Sequence, residues 1–556
     1  MRHLSRIMLL AGVSTLSLAA CSTDLAVTNP NNADILRTLG RPSDVENLIA
    51  GGFNQAVGGT TGGNVESLNS SMQVMALENY TGLANYNMGP RGGLPRTPLL
   101  NFPNNPGTAS VSSNFNGLSR ASRSVTIALE RLATTGFTLG SPAQDLRARS
   151  FGRFGLALML GNLALSYDSA AVVVPGGEAI PPLVGYDSVM KVAIGLLDDA
   201  LADASNSAAA GTGGFPLPAS WMNLSVGNVS ADLFQRIIRS YRARFRAEVA
   251  RTPAERAAVN WQQVITDAQA GITADIEIVM NATTGWTQAW VPNHFTGSNW
   301  HVMTPMIIGM ADSVGTQYEA WLNQPLLNRS PFLIRTVDKR FPAGNDRATQ
   351  NANSNGGATG AALPAGVYYR NRLTANDGAA ADGTWGFSWY DHARFQPFQN
   401  AARIGNFPHM VMPEIWGLIA EGAIRTNNFP LAITMINNSR VSRGGLPALA
   451  GIADLNTAVP GGNACVPRIP VYNAGTFTTR CGNILEAMKW EKRMEMSYIS
   501  YGAWYFDMRG WGDLPEGTPV HFPVPWGERQ TRVTPYTNMG GVGLPGGAVR
   551  GTYGLP

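Results

Sequence analysis

The chain has 556 residues, of which 14% are charged and 44% hydrophobic, with a formal net charge of +4. Disordered chains combine low hydrophobicity with high net charge, so this composition predicts a folded protein. The 62 glycines and 35 prolines indicate long irregular loops. The sequence lacks the lysine and arginine clusters that neutralise a phosphate backbone, which argues against a nucleic-acid partner. A near-neutral surface rich in amides and hydroxyls instead suits a neutral, hydroxylated ligand.

The N-terminal twenty residues have the pattern of an export signal. Arg2 and Arg6 precede a short apolar run at 7–18, and Leu-Ala-Ala precedes Cys21. The apolar run is too short to span a bilayer as a helix. We therefore predict a signal peptide over 1–20.

Cys21 is the predicted site of lipidation. The residues Leu-Ala-Ala-Cys resemble a bacterial lipobox, in which the cysteine is acylated and becomes the new N-terminus. An ordinary secretory signal with an incidental cysteine is the alternative. Ser22 follows the cysteine in place of the aspartate associated with inner-membrane retention, which favours the outer membrane. A lipid-anchored tether is expected over 21–42.

Helical periodicity dominates the remaining chain, and strand-like alternation is confined to 471–478 and 520–524. Ser43 lies three residues before Glu46, which is the spacing of a helix capping box. The predicted helices cover 43–57, 66–78, 111–132, 146–167, 189–204, 231–250, 261–270, 412–425 and 430–441.

These helices form consecutive pairs, at about 146–204, 231–271 and 412–442. In the last pair, Trp416 and Ala432 stand sixteen residues apart, which matches the tetratricopeptide spacing of a large residue over a small one. Long loops interrupt the pairs. The prediction is an all-α, tetratricopeptide-like helical-repeat scaffold with long irregular loop excursions and minor β pieces.

The other two cysteines, Cys465 and Cys481, are predicted to form a disulfide, because an exported compartment permits one. Two free thiols are the alternative. A metal site is not expected, since no second cysteine or histidine stands at ligand spacing from either.

Two loop-like stretches are rich in aromatic residues. Sugar rings present C–H faces that stack on aromatic planes, while neighbouring amides and carboxylates bind the hydroxyls. The alternative is that these rings pin long loops onto the helices, and residue by residue that alternative is favoured. Some subset facing a ligand is nevertheless expected. The candidate ligand-binding residues are Trp286, Trp290, Trp300, Trp385, Trp389 and Tyr390.

Glu491 and Glu495 are the one carboxylate pair whose spacing would suit a glycosidase. Four residues apart on a helix, their Cβ atoms would lie about 6 Å from each other. Lys489, Lys492 and Arg493 interleave them, however, which is typical of an ion-pair network. The sequence contains no HExxH, GxSxG or Walker motif, so we expect no catalytic residues, no cofactor and no enzymatic activity.

The C-terminal part of the chain resembles the SusD/RagB family of outer-membrane nutrient-uptake lipoproteins. The matching segments are Glu491-Lys-Arg-Met-Glu495-Met, then Gly502-Ala-Trp-Tyr-Phe-Asp-Met-Arg-Gly-Trp-Gly512, and then Pro523-Val-Pro525. Tyr501 stands where the family has glutamate and Trp504 where it has arginine, which indicates a divergent branch.

This resemblance implies a single SusD-like domain over 43–556, closed by a C-terminal lock segment at 483–525. Members of the family are binding proteins on the cell surface that cap a TonB-dependent (SusC-like) transporter. They capture oligosaccharides, or in some members peptides, for import. The expected function is therefore glycan capture at the outer membrane; the alternatives are peptide capture and a surface glycoside hydrolase using Glu491 and Glu495.

Overall fold

The structure, a computed structural model, describes residues 39–62, 67–80, 91–105, 108–177, 180–288, 302–354, 361–372 and 386–555. The predicted signal peptide and the predicted lipidation site, Cys21, lie outside these ranges. Three of the candidate ligand-binding residues, Trp290, Trp300 and Trp385, lie outside them as well. The described chain is mostly helical with small two-stranded sheets, so the predicted fold class is confirmed. None of its helices is long and apolar enough to cross a membrane.

The α-helices are α1 (Pro42–Ala50), α2 (Gly52–Gly58), α3 (Leu68–Met75), α4 (Thr108–Leu132), α5 (Pro142–Ser166), α6 (Tyr186–Ala209), α7 (Ala219–Met222), α8 (Ala231–Glu248), α9 (Pro253–Ala257), α10 (Trp261–Gln269), α11 (Pro305–Ile308), α12 (Gln317–Asn323), α13 (Arg347–Ala352), α14 (Gln396–Asn400), α15 (Met412–Arg425), α16 (Phe429–Arg440), α17 (Ile484–Met496), α18 (Ala503–Trp511) and α19 (Trp526–Thr531). Short 3-10 helices lie at Ala282–Thr284, Gly309–Ala311, Leu326–Asn328 and Gly462–Ala464.

The strands are β1 (Ser169–Ala171), β2 (Leu183–Gly185), β3 (Ile276–Met280), β4 (Tyr369–Asn371), β5 (Tyr390–His392), β6 (Gly405–Met410), β7 (Arg468–Asn473) and β8 (Thr476–Cys481). They pair antiparallel as β1–β2, β3–β6, β4–β5 and β7–β8. The strand predicted near 471–478 is therefore the β7–β8 hairpin. The strand predicted at 520–524 is absent from the described chain, where Phe522 makes only an isolated bridge to Tyr167.

The predicted helix pairs pack against each other as α5 with α6, α8 with α10, and α15 with α16. Helix α5 is buried on nearly all sides, and α4, α6 and α8 pack around it. Its first turn is capped by the Ser141 hydroxyl, which accepts from the Gln144 N–H at 3.3 Å. The helix then ends at Tyr167, whose backbone is extended.

One predicted helix, at 43–57, is two helices, α1 and α2, separated at Gly51. The predicted capping role of Ser43 is also wrong. Arg41 occupies the N-cap position and Pro42 begins the helix, because proline has no N–H that a cap would need to satisfy.

Within the predicted C-terminal lock segment, helix α18 lies in the core, because every one of its residues is buried. Trp504 donates its indole N–H to the Arg493 carbonyl of α17 at 2.9 Å. Arg509 donates to the carbonyls of Leu165, in α5, at 2.7 Å and of Glu248, in α8, at 2.9 Å. Two distant helix ends are therefore held by one side chain of α18, since a cation near a helix C-terminus is favourable.

Candidate functional site

Glu491 and Glu495 both contact one buried cation, Arg340. The guanidinium Nη1 of Arg340 lies 2.9 Å from Glu491 Oε2 and 3.2 Å from Glu495 Oε1. The Ser439 hydroxyl donates to Glu491 at 2.8 Å, and the Tyr368 hydroxyl donates to Glu495 at 2.9 Å. Burial raises the pKa of Glu491 against the opposing attraction of Arg340. The two carboxylates are thus members of an internal ion-pair network, as predicted. The interleaved Lys489, Lys492 and Arg493 pair elsewhere, with Asp513 and Asp507.

Arg340 itself was not found from the sequence. It is fully buried, and its own loop supplies a third carboxylate, Asp338, whose Oδ2 lies 2.7 Å from Nη2. The Trp490 indole N–H also donates to Asp338, at 3.0 Å. Arg340 and Glu491 are about 150 residues apart in the chain, and residues so far apart form no local sequence pattern. The sequence spacing therefore predicted the two glutamates of the network but not the arginine that binds them.

Trp286 and Tyr390 lie in the core rather than on a binding surface. Trp286 is 6% exposed, and its ring centroid lies 6.0 Å from that of Phe53 in α2. Tyr390 is 0% exposed; its hydroxyl donates to Gln350 at 2.7 Å and accepts from the Ile334 N–H at 2.9 Å. Both side chains pin loops to the helical body, which is the packing role that the sequence analysis gave as the alternative to ligand binding.

Trp389 is half-buried and is the remaining aromatic candidate in the described chain. The Arg347 guanidinium lies over its ring, 5.0 Å from the centroid. Its carbonyl accepts from the Arg372 N–H at 2.7 Å, which fixes the backbone beside β4. The indole is therefore held in place while part of its surface stays in solvent. The other candidates, Trp290, Trp300 and Trp385, lie outside the described residues.

A cavity of about 400 Å³ opens between α2, the start of α3, and α4; we call it the α2–α4 cavity. Asn114 builds its wall, because its amide donates to the Gly59 carbonyl at 2.6 Å and accepts from the Leu68 N–H at 2.9 Å. Sequence reasoning missed this cavity, since small residues carry no motif. It is lined by Gln55, Gly58, Gly59, Ser67, Ser113, Asn114, Gly117, Arg120, Ala121 and Ser124.

A second cavity, of about 390 Å³, lies between α12 and the β7–β8 hairpin; we call it the hairpin cavity. Its charged groups are already engaged. Glu319 accepts from the Thr479 N–H at 2.6 Å, and Arg468 donates to the Thr479 hydroxyl at 3.0 Å. Cys465 and Cys481 form a disulfide at the base of this hairpin, with 5.8 Å between their Cα atoms.

The described ranges contain no group of three or more histidine, cysteine, aspartate or glutamate residues placed to hold a metal ion. The α2–α4 cavity and the hairpin cavity are of similar volume, and the described lining of both can offer hydrogen bonds to an organic ligand. Half of the residues that line the α2–α4 cavity carry a hydroxyl or an amide and one is basic, whereas the lining of the hairpin cavity has both acidic and basic groups.

We compared the sequence and the fold with those of known proteins. No protein-family model matches the sequence, and no curated protein matches it. Among solved structures, a SusD-like carbohydrate binding protein from Bacteroides fragilis NCTC 9343 is similar with a TM-score of 0.51. The similarity covers 85% of this chain and 86% of that one, at 12% sequence identity. The chain has the SusD-like fold.

Other SusD-like structures give similar coverage with lower scores. A SusD superfamily protein from Bacteroides vulgatus ATCC 8482 has a TM-score of 0.49 at 12% identity, covering 85% of this chain and 89% of that one. A laminarin binding SusD-like protein has a TM-score of 0.48 at 12% identity, covering 89% and 98%. The similarity to the Bacteroides fragilis structure, at a TM-score of 0.51, confirms the architecture expected from the C-terminal motifs.

Proposed function

We propose that this protein captures oligosaccharides at the cell surface for import through a partner TonB-dependent (SusC-like) outer-membrane transporter. The α2–α4 cavity carries the proposal. It presents hydroxyl and amide groups on a fold that a SusD-like carbohydrate binding protein shares. Its volume of about 400 Å³ falls within the range of roughly 300–1,000 Å³ that small-molecule sites occupy.

The cavity lining matches the chemistry of a sugar unit. Each sugar hydroxyl both donates and accepts. The hydroxyls of the exposed Ser113 and half-buried Ser124 donate to the Ser110 and Arg120 carbonyls of α4, at 3.4 Å and 3.2 Å, so their oxygens can accept from a sugar hydroxyl. Gly58, Gly117 and Ala121 present little more than backbone and one methyl group, which suits the apolar C–H faces of the ring. Trp389 is proposed as a separate stacking contact for a longer chain.

The membrane part of the proposal rests on the N-terminal sequence. Lipidation of Cys21 would anchor the protein in the outer membrane, because several acyl chains on one cysteine give stable attachment. The binding protein would then hold ligand over the transporter, which would supply the energy-coupled step. A pull-down of the native lipoprotein from outer membranes tests this partner: recovery of a TonB-dependent transporter is expected, and its absence would contradict the assignment.

A binding screen tests the ligand class. The chain without residues 1–21 is titrated with neutral and acidic oligosaccharides and with peptides, with tryptophan fluorescence and calorimetry as readouts. Saturable binding of at least one oligosaccharide is expected. Binding of peptides alone would favour the peptide-capturing alternative, and binding of neither would overturn the proposal.

Trp389→Ala then tests the stacking contact. Loss of one aromatic stacking face is worth about 0.5–1.5 kcal/mol, or roughly twofold to tenfold in affinity. Trp526→Ala, a half-buried tryptophan at the start of α19 that lines neither cavity, is the matched control. Equal affinities in the two variants would remove Trp389 from the site while leaving oligosaccharide capture intact.

The glycoside-hydrolase alternative makes a different prediction. A hydrolase using Glu491 and Glu495 would release reducing ends from the bound glycan. Both carboxylates are buried, at 4% and 0% exposed, and both are paired with Arg340. Prolonged incubation with the best-bound oligosaccharide is therefore expected to release no reducing ends.

A further inference from the structure

The α2–α4 cavity contains a cationic side chain that is not paired with any carboxylate of the described residues. Arg120 is exposed, and its Nε donates to the Asn116 carbonyl of its own helix at 3.3 Å. It forms no ion pair with any residue of the described chain. The terminal nitrogens of Arg120 are thus left for a ligand.

The described lining also contributes no carboxylate that would repel an anion. Its remaining polar members are hydroxyls and amides. The Asn114 amide already binds two backbone groups, the Gly59 carbonyl and the Leu68 N–H. It therefore has a structural role in the cavity wall, and we do not assign it to ligand binding. Arg120 is therefore the one charged group that the described residues bring to this cavity.

Two glycines keep the cavity open without any packing need. A Cβ atom on Gly58 or on Gly117 would meet no atom of the described residues within 4 Å, and neither residue has a positive φ. Gly59 differs, because a Cβ there would lie 2.8 Å from Leu118 Cδ2 in α4. Glycine inside a helix destabilises the helix relative to alanine. Gly117 lies in the middle of α4 and lines the cavity, so a larger residue there would favour the helix and place its side chain in the open space.

We propose that the α2–α4 cavity binds a sugar unit that bears one anionic group, a carboxylate or a sulfate. The anion is held by the Arg120 guanidinium, whose planar fork matches two oxygens of such a group. The ring hydroxyls bond Ser113, Ser124 and Gln55, and the ring lies in the space that Gly58 and Gly117 leave open. This assignment rests on the proposed oligosaccharide capture and specifies its ligand class.

Matched ligands test the charge requirement. The chain without residues 1–21 is titrated with a galacturonate trisaccharide, with its fully methyl-esterified form, and with a sulfated galactose oligosaccharide. The ester keeps the hydroxyls and removes the charge. An exposed guanidinium–anion contact is expected to give about 5- to 10-fold tighter binding of an anionic form, and the preference should shrink as salt rises. Comparing the affinities for the galacturonate trisaccharide and for the sulfated oligosaccharide shows whether the cavity prefers a carboxylate or a sulfate.

Arg120→Gln should abolish the preference for the anionic ligand and leave the affinity for the ester unchanged. Arg480→Gln is the control, since Arg480 is also exposed and bonds only a neighbouring carbonyl in the described chain. Ester and acid binding equally to the unmodified protein would overturn the charge assignment while oligosaccharide capture stands. Binding of no carbohydrate at all would instead overturn the proposed function.

Gly117→Gln tests the location. The substitution fills the cavity and raises helix propensity, so affinity should fall at least tenfold while the melting temperature stays the same or rises. Gly195→Gln is the control, because Gly195 is an open glycine of α6 that lines neither cavity. Unchanged affinity in Gly117→Gln would place the ligand elsewhere, and a loss shared by both variants would also contradict the assignment.

Discussion

The Arg256 guanidinium and the Glu421 carboxylate form a two-point ion pair from which water is excluded. Nε lies 3.0 Å from Oε1 and Nη2 lies 2.6 Å from Oε2, with side chains 0% and 1% exposed. The same Nη2 also donates to Asp507 of the lock segment at 3.0 Å, and Nη1 donates to the Ala247 carbonyl at 2.6 Å. One arginine of α9 therefore joins α8, α15 and α18.

Glu421→Gln is expected to lower the free energy of unfolding by about 3–5 kcal/mol, because it removes one partner of a buried ion pair. Burial alone would raise the pKa of Glu421, but Arg256 and then Arg425 hold it at about 2. Its contribution to stability is therefore present above pH 4.5 and is lost as the pH falls toward 2. Chemical denaturation at pH 7 measures the loss.

Asp232→Asn is the control for this variant. Asp232 pairs with Arg236 at 2.7 Å on the surface of α8, with side chains 75% and 33% exposed. Its removal should cost no more than about 0.5 kcal/mol. A Glu421→Gln variant as stable as this control would show that the buried pair does not hold the lock segment.

Glu78 is expected to make stability fall as the pH rises. Burial raises the pKa of this carboxyl to about 8, although the Tyr498 N–H donates to it at 2.5 Å and lowers the pKa. The folded protein keeps the proton that the unfolded chain releases above pH 4.5. Between pH 4.5 and 8 this one group therefore reduces the free energy of unfolding by about 1.4 kcal/mol per pH unit.

Glu78→Gln isolates that effect. The amide keeps an acceptor for the Tyr498 N–H and cannot ionise, so the variant should lose less stability than the unmodified protein between pH 5 and pH 8. Urea denaturation at the two pH values gives the comparison. Parallel pH profiles for both proteins would mean that Glu78 is ionised in the fold.

The sequence predicted local secondary structure well, but it predicted poorly which distant residues contact each other. Helix bounds such as Met412–Arg425 follow from short-range periodicity and were correctly predicted. Trp286 has the same local signature whether it packs or binds, and its burial depends on Phe53, more than two hundred residues earlier. The α2–α4 cavity depends on Gly58 and Gly117, which have no side chains to fill the space. Isolated glycines form no recognisable sequence motif, so the sequence did not predict the cavity.

The disulfide between Cys465 and Cys481 is expected to stabilise the protein by about 3 kcal/mol, because in the unfolded chain the bond joins two residues with a sequence separation of 16. The double variant Cys465→Ser/Cys481→Ser should show this loss in chemical denaturation. Adding a reductant to the unmodified protein should shift its stability toward that of the variant. A difference below about 1 kcal/mol would contradict the chain-entropy account.

Gly161 and Gly195 should respond oppositely to the same change. Gly161 lies in α5 where a Cβ atom would overlap the Phe245 ring of α8, so alanine should cost about 1–3 kcal/mol through overpacking. Gly195 lies in α6 with no atom of the described chain within 4 Å of its Cβ position, so alanine there should gain about 0.5–1 kcal/mol in helix propensity. Thermal and urea denaturation of the two single variants measure the difference. If Gly161→Ala instead raised the free energy of unfolding, the Phe245 ring of α8 would lie far enough from α5 to accommodate a methyl group at Gly161.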